Sequence, residues 1–98
     1  MPGGGSPASG FDLDGAWRVH PRVALRPESF GALAYHYGTR RLSFLKSPQL
    51  LQVLSTLEVQ SSARAACLQA GVTDQELGHY ARALATLADT DMIEPRPA

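Results

Sequence analysis

The hydrophobic pattern of this chain changes period once, at Ser47-Pro48, and that change constrains the fold more than any other feature. Ahead of it apolar residues tend to alternate with polar ones; behind it they recur every third and fourth position. A chain written this way makes strands first and helices second, the order of an α+β domain with segregated elements.

Upstream, FGALAYHY and RRLSFLK flank Gly38-Thr39, and glycine in the first central position suits a two-residue type II′ hairpin. Such a turn pairs Tyr37 with Arg40, Tyr35 with Leu42 and Leu33 with Phe44, so these six residues share one face. Their size makes that face the expected core face. Ala32, Ala34, His36, Arg41, Ser43 and Leu45 fall on the other, which is smaller and more polar. WRVHPRVALR supplies a third strand, with Pro21 confining it to an edge, a strand start or a bulge.

Downstream, Ser47 is a good N-cap and Pro48 suits the first helical position; Leu50, Leu51, Val53, Leu54 and Leu57 then form an apolar stripe. SARAACLQAG reads as a short second helix opening near Ser61 or Ser62 and closed by Gly71. Thr73 and Glu76 make a capping box for a third helix, and Leu77, Tyr80, Ala81, Leu84, Leu87 and Ala88 line one side of it. The expected fold is α+β and winged-helix-like: a three-stranded antiparallel β-sheet followed by three α-helices.

At 98 residues the chain is one domain, able to bury roughly 60 to 65% of its unfolded surface. Residues 1–10 are Gly, Pro, Ser and Ala with one Met and read as a flexible tail. Residues 11–94 form the expected domain, and 95–98 a C-terminal tail started by the prolines of EPRPA. Neither a signal peptide nor an apolar run of membrane-spanning length is present, so the expected address is the cytoplasm.

Chemistry is sparsely provided. Cys67 is the single cysteine, and His20, His36 and His79 lack ligand spacing, so neither a metal site nor a resident cofactor is expected. No glycine-rich phosphate loop joining a strand to a helix, no nucleophile elbow and no acidic pair placed in an evident cleft is present; Ser43 and His36 share a sheet face without a third group to orient them. The chain is therefore not expected to be an enzyme. Helices two and three around AGVT resemble a helix-turn-helix, which raises a winged-helix DNA-binding protein as the alternative reading. Asp74 and Glu76 at the head of the third helix oppose the approach of phosphates.

Formal charge is zero but unevenly spread: Arg18, Arg22, Arg26, Arg40, Arg41 and Lys46 stand against the single acid Glu28 between residues 16 and 46, while the second half is acidic. In a simple meander RRLSFLK is the last strand and an edge. Its cations serve either as gatekeepers against aggregation or as a lure for an acidic peptide that adds as a further strand, with helix three as the opposite wall.

WRVHPRVALRPESFGALAYHYGTRRLSFLKSP together with ARALATL resembles the peptide chaperones of mycofactocin biosynthesis, members of the PqqD-like group of precursor-peptide recognition elements. The likeness covers about residues 11 to 93. It implies a non-catalytic protein that binds the leader of a ribosomally made precursor peptide as an extra strand and presents it to a radical S-adenosylmethionine maturase. Carried onto this sequence, the strand rail is Arg41, Leu42, Ser43, Phe44, Leu45 and Lys46, and the wall is Leu77, Tyr80, Ala81 and Leu84. These wall residues also belong to the apolar stripe of helix three. The iron-sulfur chemistry falls to the partner, and the family's cofactor product is not expected to bind here.

Overall fold

The computed structural model describes residues 10–97. Its elements run β1 (Trp17–Val19), β2 (Val23–Glu28), β3 (Gly31–His36), β4 (Leu42–Leu45), α1 (Pro48–Thr56), α2 (Ala63–Gln69), α3 (Asp74–Asp89) and β5 (Ile93–Pro95), with a 3₁₀ turn at Leu57–Val59. β2, β3 and β4 form an antiparallel three-stranded sheet in that order, and three helices follow it.

Local signals set the helix starts. Ser47 caps α1 by accepting from the Leu50 amide at 3.1 Å, and Ser62 caps α2 by accepting from Ala65 at 3.0 Å. At α3 the capping box closes both ways: Thr73 Oγ1 accepts from Glu76 N–H, and the Glu76 carboxylate accepts from Thr73 N–H. Gly71, with φ of +88°, reverses the chain between α2 and α3.

The β3–β4 register is the expected one, with Leu33 opposite Phe44 and Tyr35 opposite Leu42. Two other expectations for this hairpin need correction. The connection is not a type II′ turn at Gly38-Thr39, because the residue with positive φ is Arg40, at +65°. Residues 37–40 form a longer loop, closed by the Arg40 amide donating to His36 O at 2.7 Å and the His36 amide donating to Arg41 O at 2.9 Å. Its interior is held by the His36 ring, whose Nδ1 accepts from the amides of Gly38 and Thr39 at 2.9 and 3.1 Å. Gly38 serves here by lacking a side chain: a Cβ would sit 2.8 Å from His36 Cε1.

The second correction concerns the core face. Ala32, Ala34, His36 and Leu45 are buried, whereas Tyr37, Leu42 and Phe44 are exposed and Leu33 and Tyr35 half-buried. The smaller face is the inner one because α1 packs directly on β3, and alanines at 32 and 34 leave room for its Leu50, Val53 and Leu54. Bulk alone was a misleading guide, since a helix lying close to a sheet needs small partners beneath it.

WRVHPRVALR is two strands, not one. A turn at Pro21-Arg22 separates β1 from β2, and β1 leaves the main sheet to pair with β5, placing Trp17 opposite Pro95 and Val19 opposite Ile93. Trp17, Met92 and Ile93 are thereby buried beside Leu57 and Leu87. The ordered chain continues past the expected boundary at residue 94: the Arg96 amide donates to Ala16 O at 2.9 Å, and its guanidinium donates to Leu57 O and Gln60 O at 3.2 and 2.8 Å. Residues 1–9, which make up nearly all of the expected N-terminal tail, and Ala98 lie outside the described residues.

Candidate functional site

β4 is the outer strand of its sheet, and among the described residues no strand pairs with its far side. Which of its backbone groups are open follows from one bond. Because the His36 amide donates to Arg41 O, residues 36 and 41 are a hydrogen-bonded pair, and antiparallel alternation makes Ala34–Ser43 and Ala32–Leu45 the next ones. Ser43 and Leu45 therefore direct their amides and carbonyls inward to β3. Leu42 and Phe44 direct theirs outward, where an added strand would meet them.

Beside this edge lies a groove of 210 Å³ lined by Phe44, Lys46, Ser47, Leu50, His79, Tyr80 and Ala83. Phe44 and Lys46 stand on the β4 side, His79 and Ala83 on the α3 side, and buried Leu50 and Tyr80 close the bottom. The position of Tyr80 is set by polar bonds at its tip. Its phenol donates to Gln49 Oε1 at 3.0 Å, which leaves Ser47 Oγ to donate to the phenol oxygen at 3.2 Å. Gln49 Nε2 in turn donates to Ala70 O at 2.9 Å, tying the start of α1 to the end of α2. A buried tyrosine with its hydroxyl fully engaged makes a stiff floor.

The groove is apolar at its base and positive at its mouth. Arg41 and Lys46 are exposed, and neither forms an ion pair among the described residues. The ion pairs lie elsewhere: Glu94 pairs with Arg18 at 2.6 Å on the β1–β5 ribbon, and Asp14 with Arg64 at 2.6 Å at the start of α2. The Asp14 carboxyl is held below its ordinary pKa by its hydrogen bond to Arg64.

Of the residues named from sequence, Phe44, Lys46 and Tyr80 meet at the groove. Arg41 and Leu42 are exposed along the edge and Ser43 is half-buried. Leu45 and Leu84 are 2% and 0% exposed, both inside the core, so neither side chain presents surface to the groove. Leu77 and Ala81 are half-buried on α3, with Leu77 packed against the core. Four lining residues were not foreseen: Ser47, Leu50, His79 and Ala83. His79 and Ala83 border the apolar stripe at i and i+4, and the rim of such a stripe is where a helix side turns from core to groove.

His36 is buried with Nδ1 occupied by two backbone amides, so it offers no general base to Ser43. Burial pushes the Cys67 thiol up, against the opposing pull of Arg64. Among the described residues no group of three or more His, Cys, Asp or Glu side chains is placed to hold a metal ion, and no helix is long and apolar enough to cross a membrane. The first turn of α3 presents exposed Asp74 and Glu76, a poor approach for a phosphate backbone.

No solved structure matches this chain. Three curated proteins, each described as peptide chaperone MftB, do. That of Mycobacterium tuberculosis is 52% identical over 89 residues, covering 91% of this chain and 82% of the relative. Those of Mycobacterium ulcerans and Mycolicibacterium smegmatis are 50% and 47% identical, over 93% and 87% of this chain and 84% and 83% of the relatives. The sequence model of the peptide chaperone MftB family matches residues 16–94, a span that holds β1 through α3, the open edge and the whole groove. The chain belongs to the MftB peptide chaperone family.

Proposed function

We propose that this protein is a non-catalytic, cytoplasmic peptide chaperone that binds the leader of a ribosomally synthesised precursor peptide and delivers it to a radical S-adenosylmethionine maturase of mycofactocin biosynthesis. The observation that carries the reading is the open edge of β4 directly beside an apolar groove. The leader adds antiparallel or parallel to β4, bonding the free amides and carbonyls of Leu42 and Phe44, while alternate side chains enter the groove. One apolar leader residue rests on Leu50 and Tyr80 between Phe44 and Ala83, and a neighbouring carboxylate meets Lys46 or Arg41.

No bond is made or broken in this protein. Holding the leader keeps the modifiable end of the peptide near the maturase at an effective concentration of about millimolar for a short flexible linker. The basic bias of residues 16–46 raises the encounter rate with an acidic leader.

Titration calorimetry of the chain with the precursor peptide, with and without the maturase, tests the reading. Saturable heat is expected; none in either arm would sink it. In amide NMR the largest shifts on adding leader are expected at Leu42, Phe44 and Lys46 and at His79 and Ala83. Arg41→Glu is expected to weaken binding more at low salt than at high salt, and equal loss at both would remove the steering role.

A further inference from the structure

The outer face of the three-stranded sheet is the largest feature that peptide binding leaves unexplained. Leu33, Tyr35, Leu42 and Phe44 lie on it by register, and Tyr37 and Phe30 extend it at either end. Tyr37, Leu42 and Phe44 are 58%, 52% and 59% exposed, a contiguous apolar display of a kind that soluble proteins keep for partners. The helices lie on the opposite face, so no described element covers this one. The rings are arranged in pairs, Tyr35 edge-on to Tyr37 at 5.0 Å and Phe30 stacked with Phe44 at 6.1 Å.

The charges around the face decide what fits it. Arg22 stands opposite Tyr37, whose amide donates to Arg22 O, and Arg26 stands opposite Leu33. Arg40 and Lys46 flank the two ends of β4. Glu28 is the only acid in this stretch of chain and is taken up by Arg26 at 2.9 Å. A second copy set face to face would bring cation against cation, which disfavours self-pairing. The nine residues ahead of Gly10 carry no acid and, apart from Met1 and two prolines, nothing larger than serine, so they do not supply the complement. Single-stranded nucleic acid would need ring faces offered singly to bases, whereas these rings are turned to one another around the exposed Leu42.

We propose that the outer face of the β2–β3–β4 sheet is the docking surface for the maturase, and that it receives an apolar patch on that enzyme rimmed by carboxylates. This rests on the proposed function and adds the surface and its chemistry. Phe44 links the two sites, with its backbone open at the edge and its ring on the face, so the edge-bound leader runs alongside the docked enzyme. Chaperone, peptide and enzyme then meet along one border, as a tether requires.

The test measures affinity of the full chain for the purified maturase and, separately, for the leader peptide. The variants are Tyr35→Ser with Tyr37→Ser, and Arg22→Glu alone. The double variant is expected to bind maturase at least about tenfold more weakly, as loss of aromatic anchors does, with leader affinity unchanged within about twofold. Arg22→Glu is expected to weaken maturase binding more at low salt than at high salt. Thermal unfolding checks that each variant is folded, and if the double variant is not, Arg22→Glu decides alone. Unchanged maturase affinity in the folded variants overturns the docking surface and leaves the chaperone reading standing. Failure of the unsubstituted chain to bind maturase overturns both. Loss of a dimer in sedimentation, or loss of binding to a single-stranded oligonucleotide, without loss of maturase affinity assigns the face to another occupant and overturns the proposal.

Discussion

Gly31 enters β3 with φ of +147°, in a region that side chains rarely adopt, and a Cβ there would overlap the Leu45 carbonyl and lie 2.7 Å from the Ser47 amide. Both neighbours are backbone and cannot swing away. Gly31→Ala is therefore expected to destabilise the fold by at least about 2 kcal/mol in urea titration, since backbone strain and steric overlap act together. The position also bears on function, because the backbone it presses against leads from β4 into the groove residues Lys46 and Ser47. His36 is placed just as locally: its ring is an acceptor for two loop amides and leaves Nε2 buried without a hydrogen-bond partner. Glycine at 31 and at 38 was visible in the sequence, but its purpose was not. Gly38 was read as a source of positive φ and instead makes room for a ring.

At the scale of elements, the starts of α1, α2 and α3 were legible because an N-cap is a bond between residues three apart in sequence, as in Ser47 to Leu50 and Thr73 to Glu76. The β3–β4 register was legible too, since the chain reverses within a few residues. What the strand offers outward depends on the phase of the ladder, and this bears directly on mutagenesis. Leu45 bonds inward and its side chain is core, so Leu45→Pro is expected to damage the sheet itself. Phe44 has its amide on the free side, where proline is tolerated in an edge strand. Phe44→Pro is expected to keep the fold, by circular dichroism, and to abolish leader binding in calorimetry, with Phe44→Ala showing how much of that loss belongs to the ring. Retained binding by a folded Phe44→Pro would exclude strand addition at this edge.

At the scale of the whole molecule, the β1–β5 ribbon joins the two ends of the described chain. Arg18 Nε donates to Glu94 at 2.7 Å across 76 positions of sequence, and Arg96 reaches back to the carbonyls after α1. Met92 and Ile93 are 1% and 2% exposed. Removing residues 92–98 strips two fully buried side chains worth about 3 to 6 kcal/mol together, a large part of the stability of a small domain. Such a truncation is expected to lower the thermal midpoint sharply or to leave the chain unfolded by circular dichroism, and an unchanged midpoint would refute the role given to β5. Helix starts, hairpin register and the basic character of residues 16–46 were set by the sequence alone, because each depends on neighbours a few positions apart. The buried face of the sheet, the partner of β1 and the composition of the groove were decided only in three dimensions. Both hairpin faces carry apolar residues, so the choice fell to how closely α1 can approach Ala32 and Ala34. The pairing of β1 with β5 and the meeting of Phe44 with His79 and Ala83 join segments far apart in the chain, and no local pattern encodes such a contact.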